Sequence, residues 1–203
     1  MVSWNKVFEN FDKRLDHEDI DELRSLINSS TERRINKLKK EYDNINERTF
    51  DSDEHAFDID GYKDHLVDLM INASNIKSLS DELSILALFK SVEVKISKVI
   101  DKKFYNNGKK RFIGKLKLIT RHEEVETLAG YDAYNELRLI NNAIKHEGMV
   151  SNELATAYSS WIEGEELKDI DTAYNRLLPQ VKYFVQETVS KAYELSADNL
   201  LCI

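Results

Sequence analysis

One short run of the chain, residues 134–148, holds the side chains best suited to chemistry. Apolar residues recur there at steps of three and four, as on the buried face of a helix, and the adjoining faces carry polar residues: Asn135, Arg138, Asn142, Lys145 and His146. We expect His146 in the last helical turn, where the helix dipole stabilises a cation. Such an imidazole can act as a general acid or base without a metal. These residues alone favour the alternative, a helix-terminal histidine that only satisfies the dipole and a backbone carbonyl.

The same run is similar to the motif of a known family. The residues concerned are Asn141-Asn142-Ala143-Ile144-Lys145-His146-Glu147-Gly148 and the following Val150-Ser151-Asn152-Glu153-Leu154. They resemble the signature region of HEPN domains, which are α-helical nucleotide-binding and ribonuclease domains of toxin–antitoxin and phage-defence systems. In that family an Arg, usually followed by Asn, precedes a His by four to six residues, and the group forms a metal-independent ribonuclease site across a homodimer. Asn142 and His146 match the Asn and the His, whereas Asn141 stands at the Arg position.

The resemblance implies a mechanism. His146 would deprotonate a ribose 2′-hydroxyl for attack on the adjacent phosphate, leaving a cyclic phosphate and a 5′-hydroxyl, and Asn142 would bind the phosphate or hold the imidazole. Arg138 is the available substitute for the missing arginine, but it lies about 12 Å before His146 along a helix. We therefore expect Arg138 of one copy to approach His146 of the other, with Lys145 adding positive charge. If Arg138 points elsewhere, the resemblance implies an inactive RNA-binding or protein-interaction module, so enzymatic activity stays open.

Charge is distributed unevenly along the chain. The 203 residues carry 29 Lys and Arg against 37 Asp and Glu, a net charge of −8, yet residues 95–121 hold ten basic residues against one acid. Such a segment can follow a phosphate backbone, and we select from it these candidate RNA-binding residues: Lys102, Lys103, Lys109, Lys110, Arg111, Lys115 and Lys117. The alternative is a basic surface that pairs with the chain's own acidic residues or with an acidic partner.

The apolar spacing predicts an all-α, HEPN-like helical bundle with additional N-terminal helices. We expect helices over 4–15, 20–27 and 31–48, an acidic loop over 49–61, and a helix over 80–100 capped by Ser80. Further helices are expected over 109–128 with an interruption at Gly114, over 131–147 with Gly148 as the stop, from Ser151 to about 162, and over 167–195 with a kink or new start at Pro179. Residues 1–75 form the predicted extension and residues 76–203 the predicted bundle.

Several classes of protein are disfavoured by composition. The single Cys202 allows neither a disulfide nor a cysteine-based metal site within one chain, and no stretch approaches the length of a spanning helix or a signal peptide. We therefore expect a cytoplasmic protein with no membrane association, no cofactor and no metal. The predicted partners are RNA, a second copy of the chain and, in a defence setting, an antitoxin or another protein.

Overall fold

Helices account for most of the chain. The computed structural model describes residues 4–45, 59–104, 110–121, 124–146 and 148–201. These residues form seven α-helices and one 3-10 turn at Val125–Thr127, the helices being α1 (Trp4–Asp12), α2 (Glu18–Asn44), α3 (Ile59–Lys103), α4 (Phe112–Ile119), α5 (Tyr131–His146), α6 (Asn152–Ala157) and α7 (Ile170–Leu201). Within the described ranges the β-type pairing is an isolated bridge between Met149 and Glu166. The predicted all-α class is confirmed.

The chain divides into two compact units. One comprises residues 19–83, and the other, here called the main unit, comprises residues 1–18 and 84–203. The boundary expected at residue 75 lies inside α3, which runs unbroken from one unit into the other. Composition marked the acidic segment as the natural break, but residues 62–103 contain neither Gly nor Pro to stop a helix. Residues 46–58, which include most of the expected acidic loop, lie outside the described ranges.

Two predicted helix starts, each at a hydroxyl residue, are wrong. The helices expected over 20–27 and 31–48 form the single helix α2, inside which the Thr31 hydroxyl donates to the carbonyls of Ile27 and Asn28 at 2.9 and 3.0 Å. Ser80 is a buried residue inside α3 and caps no helix. A hydroxyl residue can therefore be accommodated mid-helix, and its presence alone does not mark a helix start.

Aromatic stacking organises the core of the main unit. Tyr134 of α5 is fully buried and stacks on Phe184 of α7, with 5.0 Å between ring centroids, and on Phe89 of α3 at 6.0 Å. Just before α5, Gly130 has φ +76° and passes so close to α7 that an added Cβ would lie 3.0 Å from the Phe184 backbone. The start of α5 is thus held directly against α7.

The end of α5 and the cap of α6 agree with the prediction, whereas α6 ends at Ala157 and not near residue 162, because Tyr158 adopts an extended backbone at φ −136° and ψ 107°. Gly148, at φ +68°, donates its N–H to the Ala143 carbonyl and ends α5, and the Ser151 hydroxyl accepts from the Leu154 N–H to begin α6. Elsewhere the bounds differ. The helix expected over 109–128 is the shorter α4, which contains Gly114 and ends before the 3-10 turn, and α7 runs through Pro179 as one helix. No helix of the described part has the length and apolarity needed to cross a bilayer.

Candidate functional site

A surface cavity of about 400 Å³ lies at the C-terminal end of α5. We call it the His146 cavity, and its walls are formed by Leu139, Asn142, Ala143, His146, Met149, Val150, Ser151 and Glu153. Asn142 and His146 reach it together because residues four apart on a helix share one face. The His146 side chain is exposed, and no hydrogen bond or ion pair joins its ring to another described residue. The imidazole is therefore open to a ligand that enters the cavity.

Arg138 lies two turns earlier on α5 and does not line the cavity. Its guanidinium donates to the Asn135 side-chain oxygen at 3.0 and 3.2 Å and to Glu153 Oε1 at 2.8 Å. Glu153 belongs to α6 and forms part of the cavity wall. Within one chain, Arg138 therefore contacts the wall of the His146 cavity through Glu153, whose carboxylate neutralises its charge.

The position of the family's arginine is occupied by a core residue. Asn141 is only 1% exposed, and its Nδ2 donates to Asn142 Oδ1 at 3.2 Å. This bond orients the Asn142 amide so that its own Nδ2 remains as a donor at the cavity wall. Lys145 is exposed but extends toward α3, with its Nζ 5.6 Å from the centroid of the Phe89 ring. It is not among the residues that form the cavity walls.

A buried carboxylate that the sequence analysis did not select anchors α5 to the rest of the main unit. Glu136 is 3% exposed and accepts a hydrogen bond from Trp161 Nε1 at 2.8 Å and two from the Arg176 guanidinium at 2.6 and 2.9 Å. The hydrogen bond to Glu136 raises the pKa of Arg176. Helical spacing could have identified it, because Glu136 lies three positions after Ala133 and four before Ile140 and so shares the apolar face of α5 with them.

A second network, also missed, extends along the polar face of α5. The Tyr158 hydroxyl donates to the Asp132 carbonyl at 2.7 Å and accepts from Asn135 Nδ2 at 3.2 Å, while Asn135 accepts from Arg138. Burial raises the pKa of Tyr158 to about 12, so its hydroxyl stays protonated at neutral pH. The orientation of Arg138 toward Glu153 is therefore set by a chain of partners that begins at the first turn of α5.

The basic residues predicted to bind RNA fall into two groups. Three contact their own chain: Lys102 lies 3.8 Å from Asp12, Lys103 lies 3.5 Å from the Tyr193 ring centroid, and Lys115, 7% exposed, donates to Asp101 at 2.6 Å. Burial lowers the pKa of Lys103. Intramolecular pairing, the alternative considered for this segment, thus accounts for part of its charge. Three others are exposed at or beside α4, namely Lys110, Arg111 and Lys117, and Lys109 lies outside the described residues.

Two further observations concern metal binding and similarity to known proteins. Across the described ranges, no group of three or more His, Cys, Asp or Glu side chains is placed to hold a metal ion. The chain matches no protein-family model, and neither a curated protein nor a solved structure shows significant similarity to it.

Proposed function

We propose that this protein is a metal-independent endoribonuclease of the HEPN type, acting in prokaryotic defence or as part of a toxin–antitoxin pair in the cytoplasm. The observation that carries the proposal is the placement of His146 and Asn142 on one face of α5, at the wall of an open cavity. The imidazole is accessible and has no partner among the described residues. The resemblance of residues 141–154 to the HEPN signature supplies the reaction type.

The proposed reaction is transesterification within RNA. The neutral imidazole of His146 takes the proton of a ribose 2′-hydroxyl, and the 2′-oxygen bonds to the adjacent phosphorus as the bond to the 5′-oxygen breaks. The departing 5′-oxygen takes a proton from water, and the His146 imidazolium afterwards returns its proton to solvent. The products are a 2′,3′-cyclic phosphate and a 5′-hydroxyl. The Asn142 Nδ2 group donates a hydrogen bond to a non-bridging phosphate oxygen.

A homodimer is part of the proposal because one chain presents too little positive charge at the cavity. Arg138 is paired with Glu153 in the same chain, and Lys145 lies over Phe89. The developing phosphorane charge needs fixed cations nearby. A second copy related by a twofold axis would bring its own Arg138 and Lys145 to His146, and phosphate oxygens would compete with Glu153 for the guanidinium.

RNA cleavage in the presence of EDTA tests the proposal. We expect the wild type to release products that end in a 2′,3′-cyclic phosphate, and His146→Ala to lose about 10²- to 10⁴-fold in rate, the usual contribution of a general acid or base. His65→Ala is the matched control, because His65 is an exposed histidine outside the main unit. Cleavage that is equal in the wild type and in His146→Ala would contradict the assignment. Full activity in a strictly monomeric sample would contradict the shared site.

The second candidate is a catalytically inactive HEPN-like module that binds RNA or a protein. Two observations favour it: Glu153 neutralises Arg138, and Asn141 is buried where the family has its arginine. A side chain without a guanidinium cannot stabilise a phosphorane in the same way. Retained RNA binding with no cleavage by the wild type would select this candidate over the enzyme.

A further inference from the structure

The apolar face of α1 is open to solvent. None of the residues of α1 is buried, and its three aromatic side chains, Trp4, Phe8 and Phe11, are 76%, 50% and 75% exposed. Their spacing of four and three residues places them on one face of the helix. The Trp4 and Phe8 ring centroids are 6.3 Å apart. The main unit therefore presents a row of three aromatic rings, each at least half exposed to solvent.

Lysine side chains of α3 lie among these rings. Lys95, Lys98 and Lys102 follow one another at steps of three and four residues, which spans about 11 Å along the helix. The Nζ of Lys95 lies 6.0 Å from the centroid of Phe11, and the Nζ of Lys102 lies 5.4 Å from that of Phe8. We call the three rings and the three lysines together the aromatic–lysine surface.

A cavity of about 310 Å³ lies at the three lysines of this surface, between α3 and residues 12–16. Its walls include the three lysines and Ser91, together with two acids, Asp12 and Asp16. Both acids have partners already: Asp12 accepts from the Tyr193 hydroxyl at 2.6 Å and lies 3.8 Å from the Nζ of Lys102, and Asp16 lies 3.5 Å from the Arg14 guanidinium. Lys98, in contrast, has no ion pair with any described residue. The surface keeps cationic groups that a ligand can bind.

We propose that the aromatic–lysine surface binds single-stranded RNA, with bases stacked on Trp4 and Phe11 and phosphates on Lys95, Lys98 and Lys102. Single-strand binding proteins combine these two elements, because every base has a face that stacks and every nucleotide carries a negative charge. A purely apolar partner would bury the lysines without an anion to pair with them, which is costly. The inference rests on the proposed function for its choice of RNA, but it concerns binding and needs no cleavage.

Fluorescence anisotropy with a labelled single-stranded RNA of about 12 nucleotides, a length within the usual site sizes, tests the proposal. The full chain carries His146→Ala, so that the RNA stays intact. We expect Trp4→Leu and Phe11→Leu each to weaken binding at least about fivefold, because leucine keeps apolar area but cannot stack. Circular dichroism checks the fold, although such exposed side chains contribute little to it.

The lysines are tested through salt dependence. We expect Lys98→Ala to reduce the slope of log K against log salt concentration by about 0.7, the contribution of one phosphate contact on a single strand. Lys39→Ala, an exposed lysine of α2, is the matched control and should leave the slope unchanged.

Two outcomes would overturn the inference. One is unchanged RNA affinity in both leucine variants. The other is binding to vesicles of anionic lipid without binding to RNA, which would identify a membrane-binding surface instead. Neither outcome depends on cleavage. A wild type that binds RNA through this surface but does not cut it would end the nuclease proposal alone, whereas a wild type that cuts RNA with unaffected leucine variants would end this inference alone.

Discussion

Removal of the Arg176 guanidinium should expose how strongly α5 depends on its buried carboxylate. Arg176→Met keeps the aliphatic part of the side chain but removes two of the three hydrogen bonds to Glu136, at 2.6 and 2.9 Å. The carboxylate, whose side chain is 4% exposed, is then left with Trp161 alone. Breaking a buried pair in this way costs about 3 to 5 kcal/mol. Because the Arg176 side chain is 44% exposed and water can reach its end of the pair, we expect about 3 kcal/mol.

A double variant separates the loss of the pair from the burial of an unpaired charge. In Glu136→Leu combined with Arg176→Met, an apolar pair replaces the ionic one, which is often close to neutral, and only the indole N–H of Trp161 loses its acceptor. We expect a cost of about 1 to 2 kcal/mol, less than that of Arg176→Met alone. The assay is urea unfolding followed by Trp161 fluorescence in a Trp4→Phe background, since the chain has two tryptophans.

The free energies of unfolding of Arg176→Met and of the double variant show whether an unpaired buried carboxylate causes the loss of stability. If the double variant is less stable than Arg176→Met, the single variant's loss does not come from an unpaired buried carboxylate, and our account of Glu136 is wrong. Glu136→Gln, which keeps the acceptor for Trp161 but removes the charge, should lie between the wild type and Arg176→Met.

Three further predictions concern the site and its supports. Glu153→Gln should change the free energy of unfolding by less than about 1 kcal/mol, because the Arg138–Glu153 pair is exposed. Because the substitution frees the Arg138 guanidinium, it should also tighten RNA binding, up to about fivefold in anisotropy titrations. Unchanged or weaker binding would contradict this prediction. Gly130→Ala should lower the free energy of unfolding, measured by thermal denaturation, by more than about 1 kcal/mol, because its φ is +76° and a Cβ would lie 3.0 Å from the α7 backbone. Gly164→Ala is the control: it has the same φ but open space around it, so it should cost less. Equal losses in the two variants would refute the role of the contact with α7. The pKa of Tyr158 is raised from 10.0 to about 12, so the folded state favours the protonated hydroxyl. The stability that this hydroxyl contributes is complete below pH 10 and should fall as the pH rises toward 12. Tyr158→Phe should remove this contribution to the loss of stability, as pH-dependent unfolding would show.

Features governed by local geometry were predictable from the sequence. The all-α class, the stop of α5 at Gly148 and the cap at Ser151 follow from helix periodicity and backbone preferences. The shared position of Asn142 and His146 on one side of α5 was also predictable, because residues four apart on a helix lie on the same face. None of these features requires knowledge of a distant part of the chain.

Pairing between elements was decided by the tertiary structure. The sequence identified Arg138 and Lys115 as cations, but only packing paired Arg138 with Glu153 of α6 and buried Lys115 against Asp101. The same holds for Glu136, whose partner Arg176 is forty residues away. Helical spacing determines which face a side chain occupies. Which charges meet across that face depends on how the helices pack, because an ion pair needs its two partners within a few ångströms of each other, however far apart they are in sequence.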